Sequence, residues 1–94
     1  VKRFPGEGGF QLHLARLYHQ AGQTGRAAIL YRQGLALKPK ELRFRLGYAR
    51  LLAGEKRWND AVLQYRAALE LHGRDPMLMA AMGDFYRQVA QEAA

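Results

Sequence analysis

The only imidazoles in the chain are His13, His19 and His72, and cysteine is absent. The six-residue step from His13 to His19 puts them on different faces of a helix, whereas a helix that holds zinc spaces its ligands four apart. Without thiols there is no disulfide framework, thiol nucleophile or thiolate metal site. Asp60 with Glu70, or Asp75 with Asp84, form no recognisable acid–base pair, and helix-surface carboxylates are ordinarily solvated. Gly6–Gly9 is too short for a phosphate loop and lacks its strand and lysine. The side-chain chemistry therefore points away from an enzyme, a metal site or a cofactor. Guanidinium is what remains. Arg16, His19 and Gln20 fall within one helical turn, and Arg43, Leu46 and Arg50 follow a three-then-four step along one face. Such a row of arginines over an apolar floor suits carboxylates, which the planar fork grips with two hydrogen bonds.

The elements that carry these arginines repeat. Residues 42–75 slide back by 34 over residues 8–41 without a gap, and between 10–37 and 44–71 ten of 28 positions are identical. Among them are Phe10/Phe44, Leu12/Leu46, Ala15/Ala49, Arg16/Arg50, Ala27/Ala61 and Tyr31/Tyr65. Ordinary residue usage would give about two such coincidences. Apolar residues recur three and four apart, as on one face of a helix, which predicts five helices: Gly9 to Ala21, Gly25 to Lys38, Glu41 to Ala53, Trp58 to Leu71 and Pro76 to Gln91. Gly22 reads as a left-handed stop, Thr24 as the cap of the second helix, Pro39 as its terminator and Asp75–Pro76 as a strong start. Small residues such as Ala27, Gly34 and Ala61 let helices approach, with Tyr18, Tyr31, Tyr48 and Tyr65 as knobs between them. The organisation expected is a lead-in over 1–7, repeats over 8–41 and 42–75, and a partial third repeat or capping helix over 76–94. Pro5 lies 34 residues before Pro39, so Val1–Pro5 reads as the tail of an earlier repeat, and the start at Val1 suggests a piece of something longer.

The period and the recurring residues resemble the tetratricopeptide repeat. Its large and small positions are met by Leu14, Ala15, Tyr18, Ala27, Tyr31 and Pro39, then by Tyr48, Ala49, Leu52, Ala61 and Tyr65, then by Met82, Gly83 and Tyr86. The aromatic expected near each first-helix start is replaced by Gln11, Arg45 and Met79; the turn glycine becomes Lys56 in the second copy, and Gly73 stands where the proline should be. The resemblance implies an all-α fold, helix–turn–helix repeats stacked as a short right-handed α-solenoid. It also implies a scaffold that binds protein segments along a concave wall built from the first helix of each repeat. Carried over position by position, that wall holds Leu12, Arg16, His19 and Gln20, then Arg43, Leu46 and Arg50, then Met77, Ala80, Asp84 and Arg87. The family subgroup that clamps acidic chain ends uses lysine and asparagine at places occupied here by Leu12, Arg16, Gly47, Met77 and Ala81, so that clamp is not expected.

Charge sharpens the choice of partner. Fifteen Lys and Arg against eight Asp and Glu leave +7, distributed as +9 over residues 1–57 and −2 over 58–94. The asymmetry suits either an acidic protein or peptide partner or a plain hydrated basic face. A positive chain also attracts phosphates without specificity, yet the aromatics belong to the core pattern and leave no platform for stacking bases, which argues against specific nucleic-acid binding. Two roles stay open: a peptide-receiving groove, and a structural repeat whose last helix stacks on further repeats or another copy. Met79, Met82, Phe85, Tyr86 and Val89 form the apolar side of that last helix, part of which should stay exposed. No apolar run approaches the roughly 18 residues of a membrane span, no signal peptide is visible, and the lack of cysteine suits cytoplasm and periplasm equally.

Overall fold

The computed structural model describes residues 9–93, and the expected lead-in over 1–7 lies outside them. Five helices, α1 (Gly9–Gln20), α2 (Thr24–Leu37), α3 (Leu42–Gly54), α4 (Trp58–His72) and α5 (Pro76–Ala93), follow one another with no strand among the described residues. α1 packs along α2 and α3 along α4 as two hairpins; α2 joins them by lying on α3, and α5 rests on α3 and α4. The result is elongated, 47 × 30 × 20 Å, as stacking in one direction requires. Its core falls into two parts. One holds Leu12, Ala15, Ala27, Tyr31, Phe44 and Leu51; the other runs from Leu42 and Leu46 through Ala61 and Tyr65 to Leu78 and Phe85, and Tyr48 packs against both.

Each helix end has a local cause. At Gly22 (φ +83°) the chain turns left-handed: the Gly22 N–H donates to His19 C=O at 3.1 Å and the Gln23 N–H to Tyr18 C=O at 2.9 Å. That pair of bonds closes the orphan carbonyls of α1. Lys56 adopts the same conformation (φ +62°) and the same bonds, Lys56 N–H to Ala53 C=O and Arg57 N–H to Leu52 C=O, both 2.9 Å. The turn therefore survives the loss of its glycine, at a steric cost of about 1 kcal/mol. The expected cap at Thr24 is corrected: the turn already commits Gln23, which serves as N-cap without a side-chain bond, and Thr24 is the first residue of α2. Glu41 likewise precedes α3 as its N-cap, with Oε2 accepting from the Arg43 N–H at 3.2 Å. Asp75 caps α5, its Oδ1 accepting from the N–H groups of Met77 and Leu78 at 2.8 and 3.3 Å. The apolar side of the last helix is covered in part, as its sequence suggests. Phe85 is buried against Tyr65 and Trp58, with ring centroids 5.0 and 6.1 Å away, and Met82 and Val89 pack beside it, leaving Met79 and Tyr86 exposed.

The joint between the hairpins is a reciprocal insertion. A Cβ at Gly34 of α2 would fall 2.3 Å from Cε1 of Phe44, and a Cβ at Gly47 of α3 would fall 2.3 Å from Cε1 of Tyr31. Each helix thus seats a ring directly on the other's backbone. At the next joint the equivalent pairs, one repeat on, are Ala68 with Leu78 and Ala81 with Tyr65, all four buried in one cluster. Where the seat gains a methyl at Ala68, the knob shrinks from phenylalanine to leucine. Gly34→Ala should therefore destabilise by about 1–3 kcal/mol through overpacking, and adding Phe44→Leu should recover a substantial part of the loss. Urea unfolding of the two single variants and the double variant measures the coupling; strict additivity would rule out the insertion as described.

Candidate functional site

A cleft of about 200 Å³ opens between the hairpins. α1 contributes Arg16, His19 and Gln20, α3 contributes Arg43, Leu46, Gly47 and Arg50, α2 contributes Tyr31, and Met77 comes from the start of α5. The cleft has its shape because residue 47 is glycine. Any side chain there would collide with the Tyr31 ring, whose hydroxyl lies only 2.9 Å from where a Cβ would stand. Leu46 is 2 % exposed and forms floor rather than wall.

The 34-residue register puts Arg16 and Arg50 at one position in successive repeats. Both guanidinium groups act on Tyr31: burial raises its pKa above the usual phenol value, and Arg16 and Arg50 partly oppose that shift. The phenol is therefore neutral at physiological pH and keeps its hydrogen. Tyr65, one repeat on, is also raised by burial, with Arg50 lowering and Asp84 raising its pKa. Arg50 thus acts electrostatically on the tyrosines of both repeats.

The three cleft arginines are not equivalent. Arg43 is held by Glu41, Nε to Oε2 at 3.0 Å and Nη2 to Oε1 at 3.3 Å. This hydrogen bond to Arg43 is the chief cause holding the Glu41 carboxyl below the usual range, and the same bond raises Arg43. Arg16 and Arg50 have no carboxylate partner among the described residues, where the ion pairs are those of Arg43, Lys56 with Glu92, Arg57 with Asp60, and Arg87 with Asp84.

Of the residues expected on the concave wall, Arg16, His19, Gln20, Arg43, Leu46, Arg50 and Met77 surround this cleft. Leu12 does not and is corrected: at 3 % exposure it belongs to the core with Ala15 and Ala27, because an apolar residue one turn before Arg16 is drawn into the seam between α1 and α2. Ala80, Asp84 and Arg87 are exposed on α5 beyond the cleft, and Asp84 is paired with Arg87. Tyr31 is not among the groove residues that the sequence suggests, and Gly47 enters there only as a clamp place without its polar side chain; that the Tyr31 ring lies against Gly47 is legible only once the hairpins are stacked.

Residues 9–51, covering both hairpin helices of the first repeat and most of α3, match the family model described as tetratricopeptide repeat. The chain carries a tetratricopeptide repeat domain. Repeats of this family generally mediate protein–protein interactions and are generally not catalytic. No curated protein matches the sequence. No helix among the described residues is long and apolar enough to cross a membrane.

Glu41 links the fold to the cleft, since one carboxylate caps α3 and holds Arg43. A carboxyl whose folded pKa is depressed adds stability that is present above its unfolded pKa and lost as pH falls through the folded value. Glu41→Ala should thus cost about 0.5–1 kcal/mol at neutral pH through loss of the cap. Thermal melts from neutral to acidic pH should show the gap between parent and variant closing as Glu41 is protonated; a gap that persists at acidic pH would contradict the assignment.

Proposed function

We propose that this tetratricopeptide repeat domain is an interaction scaffold whose basic concave cleft receives an acidic segment of a partner protein. The observation that carries the reading is the pair of guanidinium groups, Arg16 and Arg50, which line one cleft with no carboxylate partner among the described residues. Like charges so placed repel each other, and an anion between them converts that repulsion into attraction. Met77, at the start of α5, adds exposed apolar surface for a side chain beside the anion. Nucleic acid is a poorer match, because Tyr31 and Tyr65 are buried and offer no open ring face for a base.

A partner captured by the whole chain provides the test. Arg50→Glu should leave the helical circular-dichroism signal unchanged, weaken binding by about 1–3 kcal/mol through loss of a charge-assisted contact, and flatten the salt dependence of the affinity. Undiminished binding by the variant would move the partner to another surface.

A second reading, self-association through α5, is favoured by a different observation. Ala80, Gly83 and Tyr86 are the third-repeat counterparts of Leu12/Leu46, Ala15/Ala49 and Tyr18/Leu52. Ala15 and Ala49 are completely buried under the second helix of their own hairpin, whereas Ala80 and Tyr86 are exposed and a Cβ at Gly83 would meet nothing within 4 Å. Small Ala80 and Gly83 beside large Met79 and Tyr86 make this face complementary to a second copy of itself. Sedimentation over a concentration range should show a dimer that Tyr86→Glu abolishes; a parent chain that stays monomeric at high micromolar concentration would dismiss this reading.

A further inference from the structure

Within the acidic-segment reading, on which this inference rests, we propose that the anion held between Arg16 and Arg50 is a phosphate monoester on a serine or threonine of the bound peptide. The first argument is charge balance. Arg43 is already taken up by Glu41, with Nε and Nη2 both committed, whereas Arg16 and Arg50 bring two uncompensated charges to one cleft. One carboxylate offsets a single charge and leaves the other guanidinium unpaired. A phosphorylated hydroxyl carries about −1.5 to −2 at neutral pH and matches both. The second argument is the number of acceptors. Two planar forks approaching from neighbouring helices, α1 and α3, need more oxygens in more directions than a flat carboxylate turns toward them, and a phosphate presents three.

The remaining cleft walls fit the same group. Tyr31 keeps its phenolic hydrogen under burial, so it can donate to an oxyanion rather than repel it. His19 and Gln20 add further polar groups from α1. Met77, which is exposed, lines the same cleft and offers apolar surface to the carbon stem of a phosphoserine or the methyl of a phosphothreonine. The cleft, about 200 Å³ and open to solvent, has room for a compact anionic group. The wall also changes sign one repeat on. The position of Arg16 and Arg50 is occupied there by Asp84, which is paired with Arg87, so the anion is confined to the first two repeats.

The test uses the whole chain and a pool of synthetic peptides with random flanks around one fixed residue, prepared with phosphoserine, glutamate or serine at that place. Sequences enriched from the pools are then resynthesised in all three forms and titrated by fluorescence anisotropy. The phosphoserine form should bind on the order of tenfold or more tightly than its glutamate counterpart. Arg16→Gln and Arg50→Gln should each erase that preference with the circular-dichroism spectrum unchanged. Arg50→Lys, which keeps the charge and loses the fork, should retain only part of it, and Arg66→Gln, an equal change of net charge on the exposed side of α4, should leave it intact. Equal affinity for the phosphoserine and glutamate forms overturns the phosphate and leaves the acidic-segment reading standing; failure of all three pools to bind overturns both. A preference that survives in both glutamine variants removes the site from this cleft. Competition by a generic DNA duplex at the same concentration as the phosphopeptide would assign the phosphate to nucleic acid and overturn the proposal.

Discussion

Two rings seated on two glycines fix the relation between the hairpins, and most of what is distinctive about this chain depends on them. Phe44 sits over Gly34 and Tyr31 over Gly47, so α2 and α3 approach until each ring touches the opposing backbone. Glycine at these places lowers helix propensity by about 1 kcal/mol each relative to alanine. That cost is offset by burial of two aromatic side chains, each among the largest contributions a small core can receive. At the following joint Ala68 and Ala81 replace the glycines, and Leu78 takes the place of the second ring. The period is kept, and from Gly34–Phe44 to Ala68–Leu78 the seat grows as the knob shrinks, as volume conservation in a close-packed interior favours, whereas Ala81 faces an unchanged tyrosine at Tyr65.

The same insertion shapes the cleft. Because Tyr31 lies across Gly47, no side chain from that turn of α3 fills the space between α1 and α3, and the cleft opens there. Arg16 and Arg50 stand at equivalent places on the two sides of that opening. Their repulsion is tolerable in the free protein because both are exposed, where water and salt screen it. Glu41 draws off the third arginine, and the fourth helix start needs no such help because Asp60 sits in its first turn. Of the three cleft arginines, Arg43 is thereby neutralised, and Arg16 and Arg50 have no carboxylate partner among the described residues.

Stability and exposure divide along the chain in the same way. Each core cluster draws on three helices: the one around Leu12, Ala15 and Tyr31 on α1, α2 and α3, and the one from Leu42 to Phe85 on α3, α4 and α5. α5 makes the thinnest contact and carries the exposed Met79 and Tyr86. An array of this kind gains stability from neighbour to neighbour, so its ends are where a further helix or another copy adds most.

The period, the five helices and the turn chemistry were legible in the sequence because each rests on residues close together in the chain. Gly22 and Asp75 act through bonds that span at most five residues, and the recurrence at 34 places Arg16 and Arg50 on equivalent faces without any knowledge of distance. Thr24 misled because the preceding turn, a local structure in its own right, had already claimed Gln23. Leu12 misled for a tertiary reason: it lies about 40° round the helix from Arg16, and only the position of α2 decides whether that direction faces water or core. Tyr31 and Gly47 are the clearest case of what sequence could not supply. A tyrosine knob and a small residue are each visible as packing signals, but that the two meet, and that their meeting leaves a cleft lined by Arg16 and Arg50, follows from how closely two helices approach. The sequence determined the repeat and its faces through local periodicity; the tertiary structure decided which of those faces close into core and which remain open, because that depends on volumes contributed by residues far apart in the chain.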